Sequence, residues 1–161
     1  MNLNYLAFFL IAFIPLIIAA FWYHPKSIVV KWAQMDDLIN PLTLRPLQVI
    51  WAFLLSFTLV YGYINLTIHQ MGFYELFFTD IMLGSEEAKQ ITVDFLAKYG
   101  QKYRNFGHGV FHGALNAFLF ALPFVGLQAL LNNKKTKYVL FHFSYWLLTS
   151  MIIGGLISEF V

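Results

Sequence analysis

The chain has 161 residues, of which 60% are hydrophobic, 19% aromatic and only 11% charged, with a net charge of +2. A water-soluble domain carries about 25% charged residues, so this composition lacks the polar surface to cover a globule and points to a polytopic membrane protein. The basic residues lie in short gaps between apolar runs, which excludes a nucleic-acid stripe. The absence of cysteine excludes disulfides, thiolate metal ligands and cysteine nucleophiles.

The first apolar run, about residues 3–23, is long enough to cross a hydrocarbon core ~30 Å thick. It has neither a basic n-region nor a small-residue cleavage site, so it reads as a retained helix. Pro15 predicts a kink within it, and Trp22 and Tyr23 close it as interfacial anchors. In the gap that follows, Ile28, Trp32, Met35 and Ile39 fall at helical spacing and predict a short interfacial helix stopped by Asn40-Pro41. The second span covers about 47–70. Beyond it, "GFYELFFTDIML" is too short to cross and reads as an interfacial or re-entrant piece. Residues 85–99 then carry a helix signature. Ser85 is the N-cap, Glu86 and Glu87 suit the positive end of the dipole, Ile91, Phe95 and Tyr99 make an apolar stripe, and Gly100 is the stop. The third span is about 106–131, with a kink at Pro123, and the fourth about 138–158 after the basic turn "NNKKTK".

Orientation follows from the basic residues. Lys26, Lys31, Arg45, Lys134, Lys135 and Lys137 lie in the gaps after spans one and three, against Lys89, Lys98, Lys102 and Arg104 on the other side. The first group, in shorter loops, marks the cytoplasmic side and turns both termini outward.

The third span carries two stripes. Gly109, Gly113, Ala117 and Ala121 form a ridge of small residues, and Ser150, Gly154 and Ser158 form a shorter one on the fourth span. Such ridges let helices approach closely in lipid, where packing replaces the hydrophobic effect. About 100° round the helix, His108, His112 and Asn116 share a face, and Tyr61, Asn65 and His69 repeat the pattern on the second span. Antiparallel alignment sets His69 level with His108, Asn65 with His112 and Tyr61 with Asn116. Three readings compete for this outer cluster: mutual hydrogen bonding in a wet interface, a metal site of His108, His112 and His69, or proton or solute handling. A metal there wants a carboxylate or supporting acceptor, for which Glu75, Asp80 and Glu159 lie on the right side. Near the opposite face His142, Tyr145 and Thr149 share one side of the fourth span, and His24 sits among interfacial anchors.

No nucleophile elbow, phosphate-binding loop or intramembrane acid pair is present, so no catalytic residue is assigned. "NLT" at Asn65 matches a glycosylation signal only in form, since it lies inside an apolar span.

With "FWYHPKSIVVKW", "GHGVFHGALNAFLFALP" and "KYVLFHFSYWLLTSMIIGG" in view, the chain resembles a family of small bacterial four-span membrane proteins catalogued as domain of unknown function 1761. The resemblance covers nearly the whole chain in layout. It implies four membrane helices and a bacterial source, and brings no activity, cofactor or catalytic residue. His142 and Ser144 stand where the family pattern has asparagine and glycine.

The expectation is therefore an all-α four-helix transmembrane bundle, one integral membrane domain over residues 1–161, with an amphipathic helix between spans two and three. Its place is the bacterial cytoplasmic membrane. Its expected role is non-enzymatic helix packing, as a homo-oligomer or as accessory to a larger membrane complex. The alternative is metal binding or ion and small-solute translocation through the outer His/Asn cluster. An enzyme using His112 as acid–base ranks last. The sequence requires no cofactor, a divalent metal being the one its histidines would suit.

Overall fold

A computed structural model describes residues 3–33 and 43–161. The described residues form helices and turns without a strand. Four helical stretches are long and apolar enough to cross a bilayer: Tyr5–Trp22, Pro46–Thr67, Phe106–Leu131 and Thr136–Phe160.

The first span is two helices, α1 (Tyr5–Ile11) and α2 (Ile14–Trp22). Pro15 causes the break as expected, because its ring nitrogen has no proton for the Ile11 carbonyl one turn earlier. The Phe13 N–H turns back to the Leu10 carbonyl at 3.2 Å. The short helix α3 (Ile28–Ala33) follows. Met35, Ile39 and the Asn40-Pro41 stop fall outside the described residues.

The second span, α4 (Pro46–Thr67), ends three residues before the expected Gln70. Ile68 leaves helical geometry (φ −96°, ψ 97°), and a new helix, α5 (His69–Met82), starts at once. No proline or glycine forces this break; tertiary packing does. The Ile68 side chain is fully buried among Val60, Ile64, Ile153 and Ile157. Meanwhile α5 swings onto α6 (Glu86–Tyr99), where Phe73 stacks on Phe95 at 3.7 Å. The segment expected as an interfacial or re-entrant piece is thus a helix in its own right.

In α6 the Ser85 side chain accepts the Ala88 N–H at 3.2 Å, as its N-cap position implies. The buried face differs from the expected stripe. It runs through Ala88 and Thr92 toward Phe95 and Tyr99, and Ile91 is left 40% exposed.

The third span comprises α7 (Phe106–Asn116), a π-helical turn (Ala117–Ala121) and α8 (Leu122–Leu131). Pro123 cannot bond the Leu119 carbonyl, and the turn before it widens to accommodate the loss. Ala121, the last member of the expected small ridge, lies in that widened turn and is only half-buried.

The fourth span, α9 (Thr136–Phe160), is the centre of the bundle. Half of its spanning window is buried, against 22% for each of the others. It packs on α1, α2, α3, α4, α7 and α8. The two small-residue ridges meet here. A Cβ added at Gly109 would fall 2.6 Å from the Ser158 Cβ, and one at Gly113 would fall 2.8 Å from the Met151 Cα. Gly109 therefore faces Gly154, Gly113 faces Ser150, and the backbones of α7 and α9 touch. Phe118, Leu119, Phe120 and Phe124 stay exposed on the outside, an apolar surface suited to lipid.

Candidate metal centre

Three imidazoles from two helices converge at one end of the bundle. His69 is the first residue of α5, while His108 and His112 lie one turn apart at the start of α7. The break at Ile68 is what carries His69 across to them. The Nε2 atoms of His69 and His108 are 3.1 Å apart, and the His112 ring centroid lies 4.7 Å from that of His69 and 4.6 Å from that of His108. One ligand-capable nitrogen from each ring lies within 4.8 Å of the other two. A tetrahedral ion with Zn–N bonds of 2.0–2.1 Å separates its nitrogens by about 3.3 Å. Closing the widest gap to that spacing takes side-chain adjustments of about 1.5 Å. Without it, His69 and His108 share a hydrogen bond in which one ring donates and the other accepts.

The surroundings fix the helix starts that carry these rings, while the His69 ring itself is exposed. Asn105 caps α7, its side-chain oxygen accepting the His108 N–H at 2.9 Å. Glu159 accepts the Phe106 N–H at 2.8 Å, so this acid serves the start of α7 and not the histidines. Glu75 and Asp80 are exposed on α5, and among the described residues neither joins the ligand cluster. Arg104 donates from Nε to the Ser158 carbonyl at 3.1 Å. Burial lowers its guanidinium pKa, though an arginine in a protein stays charged. Gln70 donates to the carbonyls of Tyr99 and Lys102, both at 2.9 Å, and so fastens α5 to the loop between α6 and α7.

That loop contains Tyr103 at φ 64°, in the left-handed region. For a tyrosine this costs of order 1–3 kcal/mol. Its ring lies nearly parallel to His108, with centroids 5.2 Å apart and planes 21° from parallel. Beside it opens a cavity of about 320 Å³ lined by His69, Gln70, Phe95, Tyr99, Lys102 and Tyr103. None of the last five was singled out as a site residue from sequence. The crowding of aromatic and basic residues in "YGQKYR", directly ahead of the histidines, was the available signal.

The rest of the expected outer cluster does not converge. Tyr61 and Asn65 are exposed, and no hydrogen bond joins them to Asn116 or His112. The kink at Ile68 takes His69 out of helical phase with them. Asn116 is buried beneath His112, and its Nδ2 lacks a partner among the described residues. One layer inward, Tyr63 donates to the Ser150 hydroxyl at 2.6 Å. At the other end of the bundle the Tyr23 hydroxyl and His142 Nδ1 share a 2.9 Å hydrogen bond, and Tyr145 donates to the Pro15 carbonyl at 2.9 Å. His142 and Tyr145 thus form a separate cluster that ties the first span to the fourth. His24 accepts the Lys26 N–H in the adjoining turn.

Chemically, three neutral imidazoles can hold Zn²⁺ or a neighbouring transition-metal dication and leave a fourth position open. No carboxylate of the described residues shares the cluster, so a bound dication keeps its full charge. No protein-family model, curated protein or solved structure matches the chain.

Proposed function

We propose that this is a metal-binding membrane protein that holds a divalent transition-metal ion between His69, His108 and His112. The observation that carries the reading is the meeting of three ligand nitrogens within 4.8 Å, brought together from α5 and α7 by a helix break that serves no capping role. The leading expectation from sequence, an oligomer-forming or accessory protein, rests on the glycine ridges. Those ridges are occupied inside the chain, Gly109 and Gly113 against Gly154 and Ser150, which tips the balance toward the histidines.

The distribution of basic residues and the even number of spans support a bacterial inner-membrane protein with both ends outside, of the four-span kind it resembles. In that orientation the histidines face the outside, where metal arrives before transport or capture. The test is to extract the chain in mild detergent, strip it with chelator, reload it with Zn²⁺ and count the ions. One zinc per chain is expected, with none retained by His108→Ala/His112→Ala. A stripped protein that takes up no zinc, or a double variant that binds as well as the parent, overturns the reading.

A further inference from the structure

The three histidines do not stand alone: the cavity of about 320 Å³ shares His69 with them, and Tyr103 separates it from His108. Its volume is at the low end of small-ligand sites, about ten times the share of one liquid water. Half of its lining is aromatic. Phe95, Tyr99 and Tyr103 offer ring faces, and the stacking of Phe73 on Phe95 and the hydrogen bonds from Gln70 hold the walls still.

One formal charge lines it. The Lys102 ammonium lies 5.1 Å from the Tyr103 ring centroid and 5.7 Å from that of Tyr99, and no carboxylate among the described residues pairs with it. A dication on the histidines adds two more positive charges with no acid to offset them. Ring walls select a flat apolar body, and uncompensated positive charge selects an anion. The residues lie beyond the ends of the spans, on α5, α6 and the loop ahead of α7, so the ligand approaches from water and not from the lipid interior. The strained backbone at Tyr103 fits this placement, since it aims a ring where ligand and metal ligand meet.

We infer that the cavity binds a small aromatic carboxylate. Its carboxylate pairs with Lys102 on the side of the cavity that His69 lines, in the field of the metal, and its ring lies against Tyr99 and Tyr103. This inference rests on the metal reading and extends it to a ligand class.

The probe is 2-naphthoate, titrated calorimetrically into detergent-solubilised full-length protein, zinc-loaded or stripped, with zinc content measured on the same samples. Binding at one per chain is expected, at least tenfold tighter with zinc than without it. Lys102→Met is expected to weaken it at least tenfold while keeping zinc, which also shows that the variant is folded; Lys102→Arg restores it. The neutral 2-naphthylmethanol is expected to bind at least tenfold more weakly than naphthoate. Zinc uptake without naphthoate binding overturns the cavity assignment and leaves the metal site standing. Naphthoate affinity indifferent to Lys102→Met, or equal affinity for the neutral alcohol, does the same. Failure to take up zinc at all removes the metal site and this inference together.

Discussion

Gly113→Ala is the sharpest test of how the bundle is held together. The added methyl would press on the Ser150 carbonyl oxygen and lie 2.6 Å from its carbon, whereas carbon atoms pack at about 3.5–4.0 Å, so α7 and α9 must part by about 0.9–1.4 Å. A gap of 0.5–1 Å forfeits a quarter to a half of each dispersion contact along the seam. The methyl also presses on the turn holding Ser150, which accepts the buried 2.6 Å hydrogen bond from Tyr63. Overpacking costs about 1–3 kcal/mol and the strained hydrogen bond about 1 more, for a total near 2–4 kcal/mol. Gly126→Ala is the control, because a Cβ there has nothing within 4 Å. Helix propensity alone then favours alanine, by up to about 1 kcal/mol. Equilibrium unfolding in mixed detergent, followed by tryptophan fluorescence, should separate the two variants on opposite sides of the parent. Equal midpoints would refute the close approach of α7 and α9.

His69→Ala should weaken zinc more than about 100-fold, beyond the 10–100-fold typical of losing a supporting partner, as read by competition with a fluorescent chelator. Tyr63→Phe removes one buried hydrogen bond and should destabilise by about 1–2 kcal/mol in the same unfolding assay, with zinc binding unchanged. Gln70→Ala frees the Tyr99 and Lys102 carbonyls, so hydrogen exchange should accelerate through α6 and the following loop while the four spans keep their protection. Ser85→Ala should cost about 1 kcal/mol of local helix stability and fray Glu86–Lys89 first.

The spans and α6 could be read from sequence because their causes are local: apolar length, a serine cap, prolines that break hydrogen bonding. The glycine ridges were equally plain, since four-residue spacing of small side chains has one geometric meaning on a helix. His108 and His112 share a face by the same rule. His69 joins the other two histidines by a different route from the one its sequence spacing implies. The spacing continues helical phase from Tyr61 through Asn65, yet the chain breaks at Ile68 for a reason no local pattern carries, the burial of one isoleucine against side chains of the fourth span. Tyr61 and Asn65 face outward on α4, and the break beyond them delivers His69 alone. Tyr103 was equally hidden, because nothing in a tyrosine announces a left-handed backbone. Only the surrounding hydrogen bonds, from Arg104 and Gln70, show what compels it.

The central place of α9 has a consequence for how the molecule is made. Translation delivers the other three spans to the lipid first, where they can meet one another, as Phe8 meets Phe57, but lack the helix that most of their packing is made against. During that interval α7 exposes bare glycine backbone, and Tyr63 has a hydroxyl with no serine to receive it. Completion of the bundle therefore waits on the last span to be made, and a chain cut short before residue 136 keeps three spans without the centre they pack around.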